Sequence, residues 1–218
     1  MQYGKRGNNL VGCANGRGPF AFTAVAHPQP CLMLLFVQQA CSRCLPGCIA
    51  LHEAFAFTFD TGYSFNHPWK PRTGFFFGYV SGDRNPLDNT NQRFERLFGF
   101  ARPWSSNDYI QMENVKSPKL VLEFEPFRGI KMDTAVVWFY LASAKDRWSG
   151  VGNLRDQTGQ SGDYMGMEYN YRVRFDINSK IKANLGYAYF KPGDFTINTT
   201  GREINSHFGY LEVMYSLF

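Results

Sequence analysis

The sequence predicts an all-β protein: an antiparallel up-and-down meander that forms part of a transmembrane β-barrel, with an irregular N-terminal leader. Three observations carry this reading. Segments after residue 51 alternate large aromatic side chains with small or polar ones at a period of two, the period of a strand with two different faces. The connections between those segments alternate short and long. The chain is 17% aromatic yet has a mean hydropathy of −0.33, and it contains no run of about 20 apolar residues that would make a membrane-spanning helix.

Residues 1–50 differ in composition from residues 51–218. They contain Lys5, Arg6, Arg17 and Arg43 and no acidic residue, so most of the net charge of +5 originates here. The rest of the chain is close to neutral and shows no clustered basic face, which argues against a nucleic-acid partner. All five cysteines (Cys13, Cys31, Cys41, Cys44 and Cys48) also lie in this part. "CSRCLPGC" has the C-x-x-C spacing of a thiolate clamp, but no second pair or histidine follows at ligand distance, so no metal is assigned. "CLMLLFVQQA" resembles the apolar core of a signal peptide, yet it begins well inside the chain behind Pro28 and Pro30. Residues 1–50 therefore read as a Cys-containing leader extraneous to the domain at 51–218.

In "AFAFTFDTGYSF" (54–65), Phe55, Phe57, Phe59, Tyr63 and Phe65 share one face, opposite Ala54, Ala56, Asp60 and Ser64. After a short connection (66–71), "TGFFFGYV" (73–80) repeats the pattern. A long polar connection (82–108) follows. Segments 117–125 and 130–144 are strand-like but noisier, and Pro118 suggests a bulge or a strand start. "MEYNYRVRF" (167–175) sets Tyr169, Tyr171, Val173 and Phe175 against Glu168, Asn170, Arg172 and Arg174. "IKANLGYAYF" (181–190) and the final "YLEVMYSLF" alternate likewise, and the chain ends in Phe218. About seven strands are expected.

A soluble antiparallel sheet can show the same alternation, burying its aromatic face and wetting the other. The sorting of connections separates the two cases. Short 66–71, 126–129 and 176–180 would lie on one side, and long 82–108, 145–161 and 191–205 on the other, as in a membrane-anchored meander. The charged face then lines a wet interior and the Tyr/Phe stripe meets lipid.

The stretch "GYSFNHPWKPRTGFFFGYVSGDRNPLDNTNQRF", the run "NVKSPKLVLEFEPFRGIKMDTAVVWFYLASAKDRW" and the later "LGYAYFKPGDF" resemble the alginate export family of outer-membrane barrels over about 51–218. The resemblance implies a bacterial outer-membrane location, membrane lipid and an anionic polysaccharide such as alginate as partners, passive passage through a charged lumen, and neither enzymatic chemistry nor a cofactor. Seven strands are fewer than the roughly 8 that the smallest such barrels use, so the chain would supply the C-terminal part of a larger barrel.

A conduit for a polyuronate needs cations along its path, because charges in a narrow channel focus their field on a passing polyanion. Arg72, Lys131, Arg172, Arg174 and Lys182 fall on the expected inner face. Asp60, Glu123, Glu125, Asp133, Glu168 and Glu212 lie on or near it too, so cross-strand ion pairing is the competing account. Asp83, Arg84, Asn85 and Asp88 lie in the long loop expected outside the cell. Neither Asp83 nor Asp88 starts an EF-hand frame, since glycine is missing at position 6, and no metal site is assigned. His27, His52, His67 and His207 are scattered without catalytic context; a hidden His207–Ser pair is the residual enzymatic option. The rival functions are a general porin and a soluble carbohydrate-binding β-sandwich.

Overall fold

Alternating side chains make strands when the two sheet faces meet different surroundings, and that is the organisation of the computed structural model, which describes residues 31–41, 51–95, 104–107 and 109–217. From residue 51 on it contains seven long strands: β2 (Leu51–Ser64), β3 (Arg72–Val80), β5 (Val115–Phe127), β6 (Ile130–Leu141), β7 (Tyr164–Asp176), β8 (Ile181–Pro192) and β9 (Ser206–Tyr215). Within the segment read as a leader, β1 (Cys31–Cys41) pairs antiparallel with β2 along its whole length. A two-residue β4 (Thr90–Asn91) pairs in parallel with the start of β2. The other leader cysteines (Cys13, Cys44 and Cys48) and the terminal Phe218 lie outside the described residues.

The sheet order is β1-β2-β3-β5-β6-β7-β8-β9, a meander in which every consecutive long strand is a neighbour. Among the described residues the sheet is open, with β1 and β9 as its edges. From β2 on, the long strands have 9 to 14 residues, and a tilted strand needs about 9–11 to cross a bilayer. Connections 65–71, 128–129 and 177–180 are short, whereas 81–114, 142–163 and 193–205 are long. The predicted sorting of loops is therefore present, and it gives the sheet a turn end and a loop end.

Two details differ from the sequence reading. Pro118 starts no strand and makes no bulge. It sits inside β5 opposite Phe77, and the ladder to β6 lapses at Ser117 and Pro118 and resumes at Lys119 in the same register; the register shifts only farther on, between Phe124 and Phe127. The missing N–H of Pro118 removes a rung without shifting its neighbours. The last long loop contains a short helix, α1 (Asp194–Thr200), bracketed by Gly193 and by Gly201 in the left-handed region at φ 68°. Its Phe195 is fully buried.

Register then fixes the faces. Outside, Phe57 packs on Phe77, Phe55 on Tyr79, and Tyr169 on Tyr189, with ring centroids 5.8, 5.3 and 6.2 Å apart. Phe75, Leu120, Leu122, Tyr171, Leu185, Leu211 and Val213 share this outer face and are exposed. Soluble monomers rarely expose apolar patches larger than a few hundred Å2. A sandwich would cover this face with a second sheet, and the described residues form one sheet only. The hydrophobic cluster lies instead on the inner face at the loop end, where Val80, Val115, Val137, Phe139 and Phe190 pack with loop residues Phe94, Trp104, Ile110 and Trp148.

Candidate functional site

The inner face changes character along the strands. Toward the turn end the register aligns Arg72, Glu123, Asp133 and Arg172 on β3, β5, β6 and β7, one beside the next. Arg72 donates to Glu123 (3.1 Å) and lies 3.5 Å from Asp60. Arg172 engages Asp133 through Nε (2.9 Å to each oxygen) and through its terminal nitrogen (2.6 Å). Bidentate guanidinium–carboxylate contacts of this kind are directional as well as strong. Asp60 from β2 and Tyr210 from β9 border the same cavity of about 280 Å3. Strands at opposite sides of the sheet thus meet around one space, which makes the charged face concave.

One step closer to the turns, Lys131 and Arg174 are directly opposite each other. Arg174 is 3.9 Å from Asp133; Lys131 and Lys182 are 4.0 and 3.9 Å from Asp176. All five cations expected along the path therefore lie on the inner face near the turn end. Each also has a carboxylate neighbour, so the competing ion-pair account describes Arg72 and Arg172 in full and the other three in part.

The Trp-Lys-Pro-Arg turn closes over this end. Phe65 N–H donates to Pro71 O (2.8 Å), and Glu125 N–H donates to Trp69 O (2.7 Å), which ties the turn to β5. Lys70 adopts a left-handed φ of 46° and donates to Glu125 (3.1 Å).

At the loop end, segment 104–107 of the first long loop folds inward onto the sheet. Glu168 on β7 is fully buried there. It accepts hydrogen bonds from Ser105 Oγ (2.8 Å), Ser106 N–H (2.8 Å) and Asn107 Nδ2 (3.0 Å). Three donors offset much of the cost of desolvating a carboxylate. Trp104 lies edge-on to Phe76 and directly over Gly78, where an added Cβ would meet the indole at 2.1 Å. Glycine is needed at this point of β3 because no side chain could fit beneath the ring.

A second buried carboxylate joins the loops to each other. Asp146 takes both arms of the Arg93 guanidinium and the N–H groups of Asp83 (2.8 Å) and Arg147 (2.8 Å). Asn114, also buried, donates to the carbonyls of Ser143 and Arg147 (3.1 Å each) and accepts from Ser143 N–H (2.7 Å). The first two long loops therefore form one body.

The four loop residues singled out by sequence are placed here with different roles. Asp83 is buried, and desolvation pushes its carboxyl above the usual carboxylate range. Arg84, Asn85 and Asp88 are exposed. The side chains of Asp83, Asn85, Asp88 and Asn91 each accept a hydrogen bond from the N–H two residues on, at 2.8–3.4 Å. These are Asx turns, and they explain the Asp/Asn richness of the loop as backbone capping. His207 sits beside Tyr187, with 2.7 Å between Nδ1 and the phenol oxygen, and no serine takes that place.

Sequence reasoning placed Glu168 on the inner face but missed its part in seating the loop, and it missed Trp104, Arg93, Asn114 and Asp146. The one available signal was that large apolar residues such as Phe94, Trp104 and Trp148 stand in otherwise polar loops, which indicates burial.

A sequence profile of the alginate export family matches residues 48–210. No curated protein matches the chain. The match covers most of the sequence, and the chain belongs to the alginate export family, whose members are β-barrels of the bacterial outer membrane.

Proposed function

We propose, from that membership, that residues 51–218 form a sector of the wall of an outer-membrane conduit that passes an anionic polysaccharide. The observation that carries the reading is the concave inner face. Its charged groups run from the turn-end cavity toward the in-folded segment 104–107, while the opposite face is apolar and exposed. A channel wall for a polyanion needs cations that attract the chain and anions that keep it from binding too tightly. The alternation of Arg72, Glu123, Asp133 and Arg172 supplies both. In this reading the turn end faces the periplasm and the loop end faces outward, with Arg84, Asn85 and Asp88 at the outer surface. The wall works by positioning charge, and no residue is assigned a catalytic role.

The pairing of every path cation with a carboxylate neighbour also favours a second reading, a porin without strong preference for solute charge. Conductance of the protein in planar bilayers separates the two. The exporter reading expects a polyuronate to block current at concentrations where a neutral glycan of the same length does not. Equal block by both glycans would leave the general porin.

A further inference from the structure

We propose that the outer face of the sheet, at the loop-end border of its apolar band, is a docking surface for a lipid whose sugar headgroup bears two phosphates, held by Lys116 and Lys191. The inference goes beyond the conduit reading, because it concerns the outside of the wall and holds whatever solute passes within.

Charge is rare on this face. From β2 to β9, strand parity puts three full charges on it: Glu53, Lys116 and Lys191. All three stand at the loop end, Glu53 near the start of β2, Lys116 next to the start of β5 and Lys191 next to the end of β8. At the turn end the same face presents Tyr63, Phe127 and Tyr215, exposed and uncharged. The exposed turn-end cations Arg128 and Lys180 lie in turns, beyond the strands. A band that only had to meet hydrocarbon would end alike at its two borders. A lysine on a lipid-facing strand is costly at mid-bilayer and nearly neutral at the interface, and an anionic headgroup there makes it favourable.

Register assembles the patch. Tyr79, Lys116, Tyr140 and Tyr164 follow one another across β3, β5, β6 and β7. The Lys116 Nζ lies 5.8 Å from the centre of the Tyr140 ring, and that ring is 5.1 Å from Tyr164. A cation–π contact of this length keeps the ammonium at the aromatic surface. Lys116 also bonds Asp163 at 2.9 Å, but the two side chains are 33% and 44% exposed, so a doubly charged anion can compete for the lysine. Lys191, opposite Met167, is exposed, and its ammonium has no hydrogen-bond or ion-pair partner among the described residues. Glu53 is two strands away from Lys116 and borders a separate cavity with Arg84.

Spacing defines the ligand. β6 and β7 lie between β5 and β8, so the two lysines start about 14 Å apart across the sheet, at about 4.8 Å per strand. Two phosphates on a disaccharide headgroup can each meet one ammonium. Tyr140 and Tyr164 stand on the intervening strands and offer ring faces and hydroxyls to the sugars. The acyl chains then run along the exposed Leu120 and Leu122 toward mid-bilayer.

The test uses the full chain in detergent micelles, with bound lipid counted by native mass spectrometry. The probes are a diphosphorylated glucosamine-disaccharide lipid, its monophosphorylated form with the same acyl chains, and zwitterionic phosphatidylethanolamine. Wild type should hold the diphosphorylated lipid about fivefold more tightly than the monophosphorylated one, and phosphatidylethanolamine most weakly. K116Q and K191Q should each weaken the diphosphorylated lipid about fivefold, whereas K191R should bind it like wild type. R128Q, in a turn at the opposite end, should also bind it like wild type. Circular dichroism checks the fold of each variant. K191Q breaks no contact among the described residues, so it decides the matter even if K116Q, which opens the Asp163 pair, fails to fold. Equal retention of the three lipids, unchanged affinity in folded K191Q, or an equal loss in R128Q overturns the docking surface.

Discussion

The two ends of one sheet face use the same strands for different purposes. On β6, Val137 and Phe139 near the loops are fully buried in an apolar cluster, while Lys131 and Asp133 near the turns face a cavity. On β7, Glu168 is sealed under the in-folded segment, whereas Arg172 and Arg174 are partly open. At the loop end the carboxylates of Glu168 and Asp146 are buried and saturated with donors; at the turn end charge is dense, partly wet and incompletely paired. Buried charge tolerates no missing partner, because desolvation has already been incurred. Partly solvated charge can exchange one partner for another at little cost. The loop end therefore has the chemistry of structure, and the turn end that of exchangeable contacts.

The sharpest way to break this contrast is at Asp146. D146A leaves the Arg93 guanidinium buried without its carboxylate and removes the acceptor for two backbone N–H groups. The expected loss is about 3–5 kcal/mol of loop-end stability, read as faster hydrogen exchange at residues 83–93 and 143–148. A smaller effect is expected at Glu168. E168A removes three hydrogen bonds at a cost of about 1–3 kcal/mol, and should free segment 104–107 to protease while leaving the strand amides protected. At the turn end, removing the exposed Lys70–Glu125 pair by K70M should leave the midpoint of thermal unfolding close to that of wild type, because solvent screens the pair. A loss there equal to that of D146A would erase the distinction.

Acid gives the smallest and most local effect. Asp156, in the second long loop, accepts from the Thr158 hydroxyl and from the Thr158 and Ser161 N–H groups, and these bonds hold its carboxyl below the usual range. A lowered folded-state value adds stability above the unfolded value, which is lost as pH falls below about 4. Asp83 has the opposite sign, because burial raises its value. Its contribution is greatest when it is protonated and declines as pH rises through the raised value. Acidification should therefore lower the protection factor of the Ser161 amide, its exchange relative to the intrinsic rate at the same pH, in wild type, and D156N should abolish that dependence.

The strands were legible because alternation is local: Phe55 to Phe65 and Tyr169 to Phe175 each carry their own face assignment. Loop sorting was legible because it needs only strand positions. The inner-face cations followed from the same parity. What sequence could not supply was pairing at long range. Nothing beside Asp146 indicates that Arg93, 53 residues away, would close on it. Nothing beside Glu168 indicates a seat for residues 105–107. The helix at Asp194–Thr200 was hidden for another reason. Its Thr and Ile content has poor helix propensity, and tertiary burial of Phe195 prevails, with Asp194 in the first turn and Gly201 at the end as the only local marks. The difference between the closely bonded Arg172 and the looser Arg174 depends on distances of about an ångström, which parity does not encode.

The central claim is that the aromatic face meets lipid and the charged face meets water. Nitroxide labels placed singly at residues 120 to 123, with the native cysteines replaced, test this in reconstituted bilayers through collision with dissolved oxygen and with a water-soluble nickel complex. The account predicts that labels at Leu120 and Leu122 are reached mainly by oxygen, and labels at Val121 and Glu123 mainly by nickel. Accessibility to nickel at all four positions, or the reverse alternation, would contradict it.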